Sequence, residues 1–98
     1  FVVGARNDQR IIGTMTLKGD YIDLAYVAPD AQGQGLFRRL FEAVEDEAGA
    51  QGHRRLWTHA SLMAQPAFRA MGFHVIRHER IAQKGQFLSR AEMEKSPL

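Results

Sequence analysis

The chain contains no cysteine among its 98 residues. This absence excludes a disulfide framework, a thiolate nucleophile and a metal centre held by cysteine. Long apolar runs are also missing, and none approaches the roughly 20 consecutive residues that a membrane-spanning helix needs. We therefore expect a cytoplasmic protein with no membrane partner.

A large excess of charge of either sign is absent as well, since 13 basic and 11 acidic residues give a formal net charge of +2. This mildly basic balance suits an anionic ligand but is too weak to indicate a nucleic-acid partner. The histidines His74 and His78 are four residues apart in a predicted strand, where that spacing covers about 13 Å. We therefore expect no metal site.

A hydrophobic content of 45% is enough for one small core in a chain of this length. The sequence opens on FVVGAR, which already has the composition of a strand rather than of a terminus. We expect a single domain over residues 1–98 that lacks an N-terminal part. We find no internal repeat, linker or low-complexity segment.

The first third of the chain has the pattern of three strands joined by tight turns. The predicted strands are Phe1–Arg6, Arg10–Lys18 and Tyr21–Val27, with turns at Asn7–Gln9 and at Gly19-Asp20. Short connections of this kind predict an antiparallel meander.

A helix is predicted next, from about Gly35 to Ala48, and Gly49 and Gly52 are expected to end it. Its apolar residues recur at helical spacing: Leu36, Phe37, Leu40, Phe41, Val44 and Ala48. The following segment, Arg55–His59, is a predicted strand. A strand, a helix and a strand in this order form a crossover, so the two strands should be parallel.

The rest of the chain predicts a short helix, two strands around a Lys84-Gly85 turn and a loose tail. In order, these are Ser61–Met71, Phe73–Ala82, Gln86–Glu94 and Lys95–Leu98. Pro66 is expected near the start of the short helix, and Gly72 should stop it. The whole pattern predicts an α+β fold, a mixed sheet of the α/β type with two helices.

The segment Gln32-Gly33-Gln34-Gly35 joins a predicted strand to a predicted helix. Unpaired N–H groups and the helix dipole attract an anion to such a helix start, and glycines let the anion approach. Arg38 and Arg39 are mildly unfavourable there unless an anion is bound. A P-loop is excluded because its Gly-Lys-Ser/Thr ending is missing, and the dinucleotide pattern GxGxxG fails at its last glycine.

The segment AYVAPDAQGQGLFRRL, Ala25–Leu40, resembles the central motif of the GNAT superfamily of N-acetyltransferases. In that motif a strand, often ending V-x-P, precedes [Q/R]-x-x-G-x-[G/A] at the start of a helix. Gln32 and Gly35 match it, whereas Phe37 replaces the usual small residue. AQPAFRAMGF resembles the family's short helix that ends in Gly-Phe, here Gly72-Phe73.

The resemblance covers nearly the whole chain. It implies a GNAT-like fold with the family's strands two to four, main helix, fifth strand, short helix, and strands six and seven. The family's first strand and first two helices would lie upstream of Phe1.

The resemblance further implies acetyl-CoA as the co-substrate. Its pantetheine arm would lie along the backbone of Ala25, Tyr26 and Val27, in a slot where this strand leaves the next parallel one. Its pyrophosphate would lie on Gln32, Gly33, Gln34, Gly35, Leu36, Phe37 and Arg38. The implied reaction is direct acetyl transfer, in a ternary complex, to a primary amine of a small molecule, peptide or protein.

The acid that protonates the leaving thiolate is not obvious. Many family members use a tyrosine four residues before the Gly-Phe glycine, and that position holds Phe68 here. Tyr26, His59 and Ser61 are the alternative candidates, unless no side chain is needed.

Asp23 is the candidate for the base that takes the amine proton. By strand periodicity it shares one face with Tyr21, Ala25 and Val27, and it is the only carboxylate there. It would act directly, through water, or by binding an ammonium group.

Two other functions compete with the enzyme hypothesis. One is a CoA-binding module of the same fold that lacks chemistry, which Phe68 would explain. The other is an interaction domain that needs a partner chain to complete its sheet beside an unpaired first strand. A homodimer is among the expected assemblies.

Overall fold

The computed structural model describes the whole chain, Phe1–Leu98. Six strands form one sheet in the order β1-β2-β3-β4-β6-β5, and two helices pack on it. The elements are, in chain order, β1 (Val2–Asn7), β2 (Arg10–Lys18), β3 (Tyr21–Val27), α1 (Leu36–Ala50), β4 (Leu56–Ser61), α2 (Gln65–Ala70), β5 (His74–Gln83) and β6 (Gln86–Lys95). The predicted mixed sheet with two helices is confirmed. Neither helix has the length and apolarity that crossing a membrane requires.

The pairing of the strands follows the predicted connections. β1, β2 and β3 are antiparallel neighbours, as a meander requires. β3 and β4 are parallel, which confirms the crossover through α1. β5 and β6 form an antiparallel hairpin, and β6 lies against β4.

Both helices cover the same face of the sheet. The α1 side chains predicted to face inward are buried except Phe37, which is half-buried: Leu36, Leu40, Phe41, Val44 and Ala48. Each large apolar side chain buried in this way contributes about 1.5–3 kcal/mol to folding. Phe68 of α2 contacts Phe37 of α1 edge to face, with ring centroids 5.2 Å apart. The opposite face of the sheet carries no helix, and we call it the open face.

Several boundaries differ from the predicted ones. α1 continues through Gly49, and the left-handed residue that follows it is Gly52, with φ 84°. β4 runs on to Ser61 because it stays paired with β6 as far as Arg90. α2 therefore starts only at Gln65, with Pro66 in its first turn as predicted. The C-terminal tail is not loose, since the Leu98 N–H donates to the Arg54 carbonyl at 2.9 Å.

A bulge in β3 changes which of its side chains share a face. The pairing with β2 shifts between Thr16–Leu24 and Leu17–Ile22, so Asp23 is the extra residue. An extra residue of this kind reverses the alternation on either side of it. The predicted common face of Tyr21, Asp23, Ala25 and Val27 is therefore wrong: Ala25 and Val27 pack against the helix-covered core.

Candidate active site

β3 and β4 are paired at one end only. Their ladder consists of Tyr21 opposite Trp57 and Ile22 opposite Thr58. Beyond these pairs Asp23–Val27 of β3 and His59–Ser61 of β4 have no backbone ladder between them. We call the space between these two segments the gap, with its narrow end at Ile22–Thr58 and its wide end at Val27.

The backbone of β3 offers hydrogen-bonding groups to the gap. Successive residues of a strand direct their N–H and C=O groups to opposite edges. The Ala28 N–H donates to the Ile12 carbonyl on β2 at 2.8 Å, so the groups of Ala25 and Val27 point the other way, into the gap. The Val27 carbonyl accepts a hydrogen bond from Gln32 Nε2 at 3.3 Å. The Ala25 groups and the Val27 N–H are thus available to a ligand.

Two left-handed glycines form the turn at the wide end. Gly33 has φ 78° and Gly35 has φ 77°, a region in which residues with a side chain are strained. Gly35 precedes the first residue of α1, and no side chain caps the helix. The N–H groups of Leu36, Phe37 and Arg38 therefore face the entrance of the gap without helical partners. This turn has the backbone of an anion site at a helix start.

The two arginines of the first helical turn point in different directions. Arg38 lines the gap, whereas Arg39 lies beside β1 in a separate shallow pocket. Neither forms an ion pair, and the i+4 pair that Glu42 could make with Arg38 is absent. Arg38 therefore leaves a free positive charge on the wall of the gap, next to the unpaired N–H groups.

The gap widens into a cavity of about 500 Å³. Nine of the ten residues predicted to hold a cofactor line it, and Gln34 is the exception. They are Ala25, Tyr26, Val27, Gln32, Gly33, Gly35, Leu36, Phe37 and Arg38. Ala31, at the end of a short 3-10 turn over Pro29–Ala31, completes this side.

The opposite wall of the cavity consists mainly of residues that sequence reasoning missed. Ser61 was a candidate, but Met63, Ala64, Ala67, Ala70 and Met71 were not. Three of these are alanines that recur every third residue. A stripe of small residues on one helical face lets a ligand lie close to the helix. The spacing of these alanines is therefore the sequence feature that could have indicated the wall of the cavity.

Phe68 is buried, with only 2% of its surface exposed. Its ring packs edge to face against Phe37 at 5.2 Å and against Phe73 at 5.1 Å between centroids. The two departures from the family motif, Phe37 and Phe68, are therefore in contact with each other. Such pairs add about 0.5–1.5 kcal/mol beyond the burial of their area. The structure offers no proton donor at this place.

The narrow end is closed by a side chain. The Thr58 hydroxyl donates to the Ile22 carbonyl at 2.9 Å, and both residues are buried. This bond occupies the last carbonyl of β3 before the strands separate. The gap therefore has a fixed inner limit.

A connected group of polar side chains lies on the open face at the narrow end. The Tyr21 hydroxyl is 2.9 Å from His59 Nδ1, and His59 Nε2 is 3.5 Å from Glu79 Oε1. Arg90 Nε donates to the same Glu79 oxygen at 3.0 Å. Burial, and then the nearby charge of Asp23, raise the pKa of Tyr21 above its ordinary value. The Tyr21 hydroxyl is therefore protonated at neutral pH.

The candidate catalytic residues are not all in one place. His59 belongs to the polar group at the narrow end, while Tyr26 and Ser61 line the cavity. Asp23 lies on the bulge, where its carboxylate pairs with Lys18 at 3.3 Å. No three His, Asp or Glu side chains converge in a way that could hold a metal ion.

Comparisons with known proteins agree with this geometry. The family model described as "Acetyltransferase (GNAT) domain" matches residues 1–96. The chain belongs to the GNAT acetyltransferase domain family. A search of curated proteins found no match.

Solved structures share this GNAT fold. The GCN5-related N-acetyltransferase from Rhodopseudomonas palustris is 32% identical, with a TM-score of 0.88 over 97% of this chain and 60% of that one. The yncA protein of Salmonella typhimurium, solved with acetyl-CoA, is 20% identical with a TM-score of 0.78, over 97% of this chain and 63% of that one. The ribosomal-protein-S18-alanine N-acetyltransferase from Escherichia coli is 20% identical with a TM-score of 0.76, over 99% of this chain and 68% of that one. The chain thus spans about three fifths of the first two GNAT structures.

Proposed function

We propose that this chain binds acetyl-CoA in the gap and is the catalytic part of an N-acetyltransferase. The observation that carries this proposal is the continuity of the gap with the glycine turn. An anion site at a helix start opens directly onto a strand edge with free hydrogen-bonding groups. Family membership supports the same ligand.

The diphosphate would bind to the N–H groups that follow Gly33 and Gly35, with Arg38 adding charge. From Val27 back to Asp23 the strand covers four intervals, or about 13 Å. An extended pantetheine arm has a comparable length. Paired with the Val27 N–H and the Ala25 carbonyl, it would carry the thioester from the glycine turn past Ala25 toward the narrow end.

The acceptor would be a primary amine that approaches from the open face, because α1 and α2 cover the other one. Its nitrogen would attack the acetyl carbonyl directly, in a ternary complex. The backbone N–H of Ala25, directed into the gap, is placed to stabilise the developing oxyanion. Small-molecule and protein amines are both retained as acceptor classes. The S18-alanine enzyme from Escherichia coli is similar at the level of fold alone.

The experiment compares two neighbouring arginines. Isothermal titration with CoA should show binding by the unaltered protein and about tenfold or weaker binding by Arg38→Ala, because a charge-assisted hydrogen bond to phosphate is lost. Arg39→Ala is the matched control, since Arg39 lies outside the gap, and it should bind nearly as well. Absence of CoA binding by the unaltered protein would refute the proposal.

A CoA-binding module without chemistry is the second candidate, and the buried Phe68 favours it. It predicts CoA binding with no transfer to small alkyl amines, a lysine peptide or an alanine-starting peptide. Detection of acetylated product from any of these amines would exclude it.

A further inference from the structure

We propose that Tyr21, His59 and Glu79 form one proton relay that takes the proton from the acceptor amine and returns it to the CoA sulfur. This inference rests on the proposed function. It assigns both proton transfers to side chains at the narrow end of the gap, because Phe68 of α2 provides no proton donor.

The position of Tyr21 is the first argument. Its backbone is opposite Trp57, yet its hydroxyl reaches His59, two residues further along β4. The Tyr21 side chain therefore extends along the sheet toward the point where β3 and β4 separate. His59 is the first residue of β4 beyond the last pair. The hydroxyl thus lies beside the narrow end, where the thioester of a bound acetyl-CoA would be.

The state of His59 follows from its two neighbours. A carboxylate beside Nε2 favours the tautomer in which Nε2 carries the hydrogen and Nδ1 is the acceptor. The Tyr21 O–H then donates to Nδ1 and keeps a lone pair on its oxygen for a substrate N–H. Glu79 is fixed by Arg90, so an imidazolium formed at His59 would have a bound counter-ion.

Two other carboxylates lie near His59 and contact other side chains. Glu92, its cross-strand neighbour on β6, pairs with Arg77 at 3.3 Å, and Asp23 pairs with Lys18 at 3.3 Å. Glu79, although it also pairs with Arg90, is the carboxylate that contacts the His59 ring, at 3.5 Å from Nε2. It is therefore the carboxylate positioned to respond to a proton on His59.

The relay would act first as a base and then as an acid. The amine nitrogen bonds to the acetyl carbon, and its proton passes to the Tyr21 oxygen as the Tyr21 proton passes to His59 Nδ1. The carbon–sulfur bond then breaks and its electron pair stays on sulfur. The Tyr21 proton moves to the sulfur, and Nδ1 restores it to Tyr21. One proton has moved from nitrogen to sulfur, and the products are the amide and CoA.

The test needs no identified acceptor. Free CoA is bound to the protein, and ionisation of its thiol is followed by thiolate absorbance during a pH titration. In the unaltered protein Tyr21 stabilises the thiolate, with His59 taking its proton. Tyr21→Phe and His59→Gln should each make the bound thiol about tenfold less acidic, because hydrogen bonds to charged groups are strong. Glu79→Gln should act in the same direction to a smaller extent.

His78→Gln is the matched control, because His78 is exposed on β5 and makes no side-chain hydrogen bond or ion pair. It should leave the acidity of the bound thiol unchanged. If Tyr21→Phe fails to fold, His59→Gln decides the question with Tyr21 still in place. A purely structural role would reduce stability or CoA affinity without changing thiol acidity, and that result would overturn the relay. Failure of the unaltered protein to bind CoA would refute the proposed function itself.

Discussion

At the wide end of the gap the chain presents backbone N–H groups and one arginine, whereas at its narrow end it presents side chains from four strands. The wide end is formed by consecutive residues, Gln32–Arg38, whose conformation depends on two glycines. The narrow end brings together Tyr21, His59, Glu79 and Arg90, which are far apart along the chain. A binding function thus rests on local geometry, and the proposed chemistry depends on the tertiary fold.

The largest expected effect is a loss of stability when Phe68 is replaced in α2, the helix that forms one wall of the wide end. Phe68→Ala should lower the free energy of unfolding by about 3–5 kcal/mol, because it leaves a cavity between Phe37 and Phe73. Urea denaturation followed by circular dichroism measures it. Phe68→Tyr should also destabilise, since its hydroxyl would be buried without a partner. An increase in acetyl transfer by Phe68→Tyr would contradict the assignment of the proton steps to the narrow end.

The closure of the narrow end is tested next. Thr58→Val keeps the shape of the side chain but removes the hydroxyl hydrogen bond to the buried Ile22 carbonyl, which keeps its ladder bond to β4. We expect a loss of up to about 1.5 kcal/mol in the free energy of unfolding. Thr16→Val is the control, because its half-buried hydroxyl makes no side-chain hydrogen bond. Equal losses in the two variants would mean that the Thr58 bond has no special importance.

Gly35 at the wide end and Gly49 inside α1 should respond in opposite ways to replacement by alanine. Gly35→Ala should destabilise by about 1–2 kcal/mol and weaken CoA binding, because it forces a residue with a side chain to φ 77°. Gly49→Ala should instead stabilise by about 0.5–1 kcal/mol, since Gly49 is inside α1 with open space around it. Thermal and urea unfolding measure both. A stabilising Gly35→Ala would remove the conformational argument for the turn.

The smallest effect concerns an exposed ion pair just beyond the wide end. The hydrogen bond from Arg10 lowers the pKa of Asp30, so the contribution of this pair is present above the ordinary pKa of aspartate. It should disappear as the pH falls below about 4 and through the lowered pKa. Asp30→Asn should therefore melt slightly below the unaltered protein at neutral pH. The difference should vanish in acid, and a difference independent of pH would contradict this origin.

The sequence predicted what depends on neighbouring residues. The meander, the crossover and the glycine turn follow from strand patterns, helical spacing and the demand of Gly33 and Gly35 for left-handed backbone. Ala64, Ala67 and Ala70 also recur every third residue in the sequence, although this spacing alone does not show that they line a cavity.

Features set by tertiary contacts were not predictable in the same way. The bulge at Asp23 depends on how β3 pairs with β2, and it overturned the expected common face of Ala25 and Val27. β4 extends to Ser61 because β6 pairs with it there. Glu79 did not appear as a functional candidate, since nothing in its local sequence relates it to His59, twenty residues earlier.

A structure of the protein with CoA bound is the decisive measurement. We expect the diphosphate on the N–H groups of Gly33–Arg38 and the pantetheine arm paired with Ala25 and Val27. We also expect the sulfur within hydrogen-bonding distance of the Tyr21 hydroxyl. A CoA molecule bound outside the gap, or one whose sulfur lies away from Tyr21 and His59, would contradict this expectation.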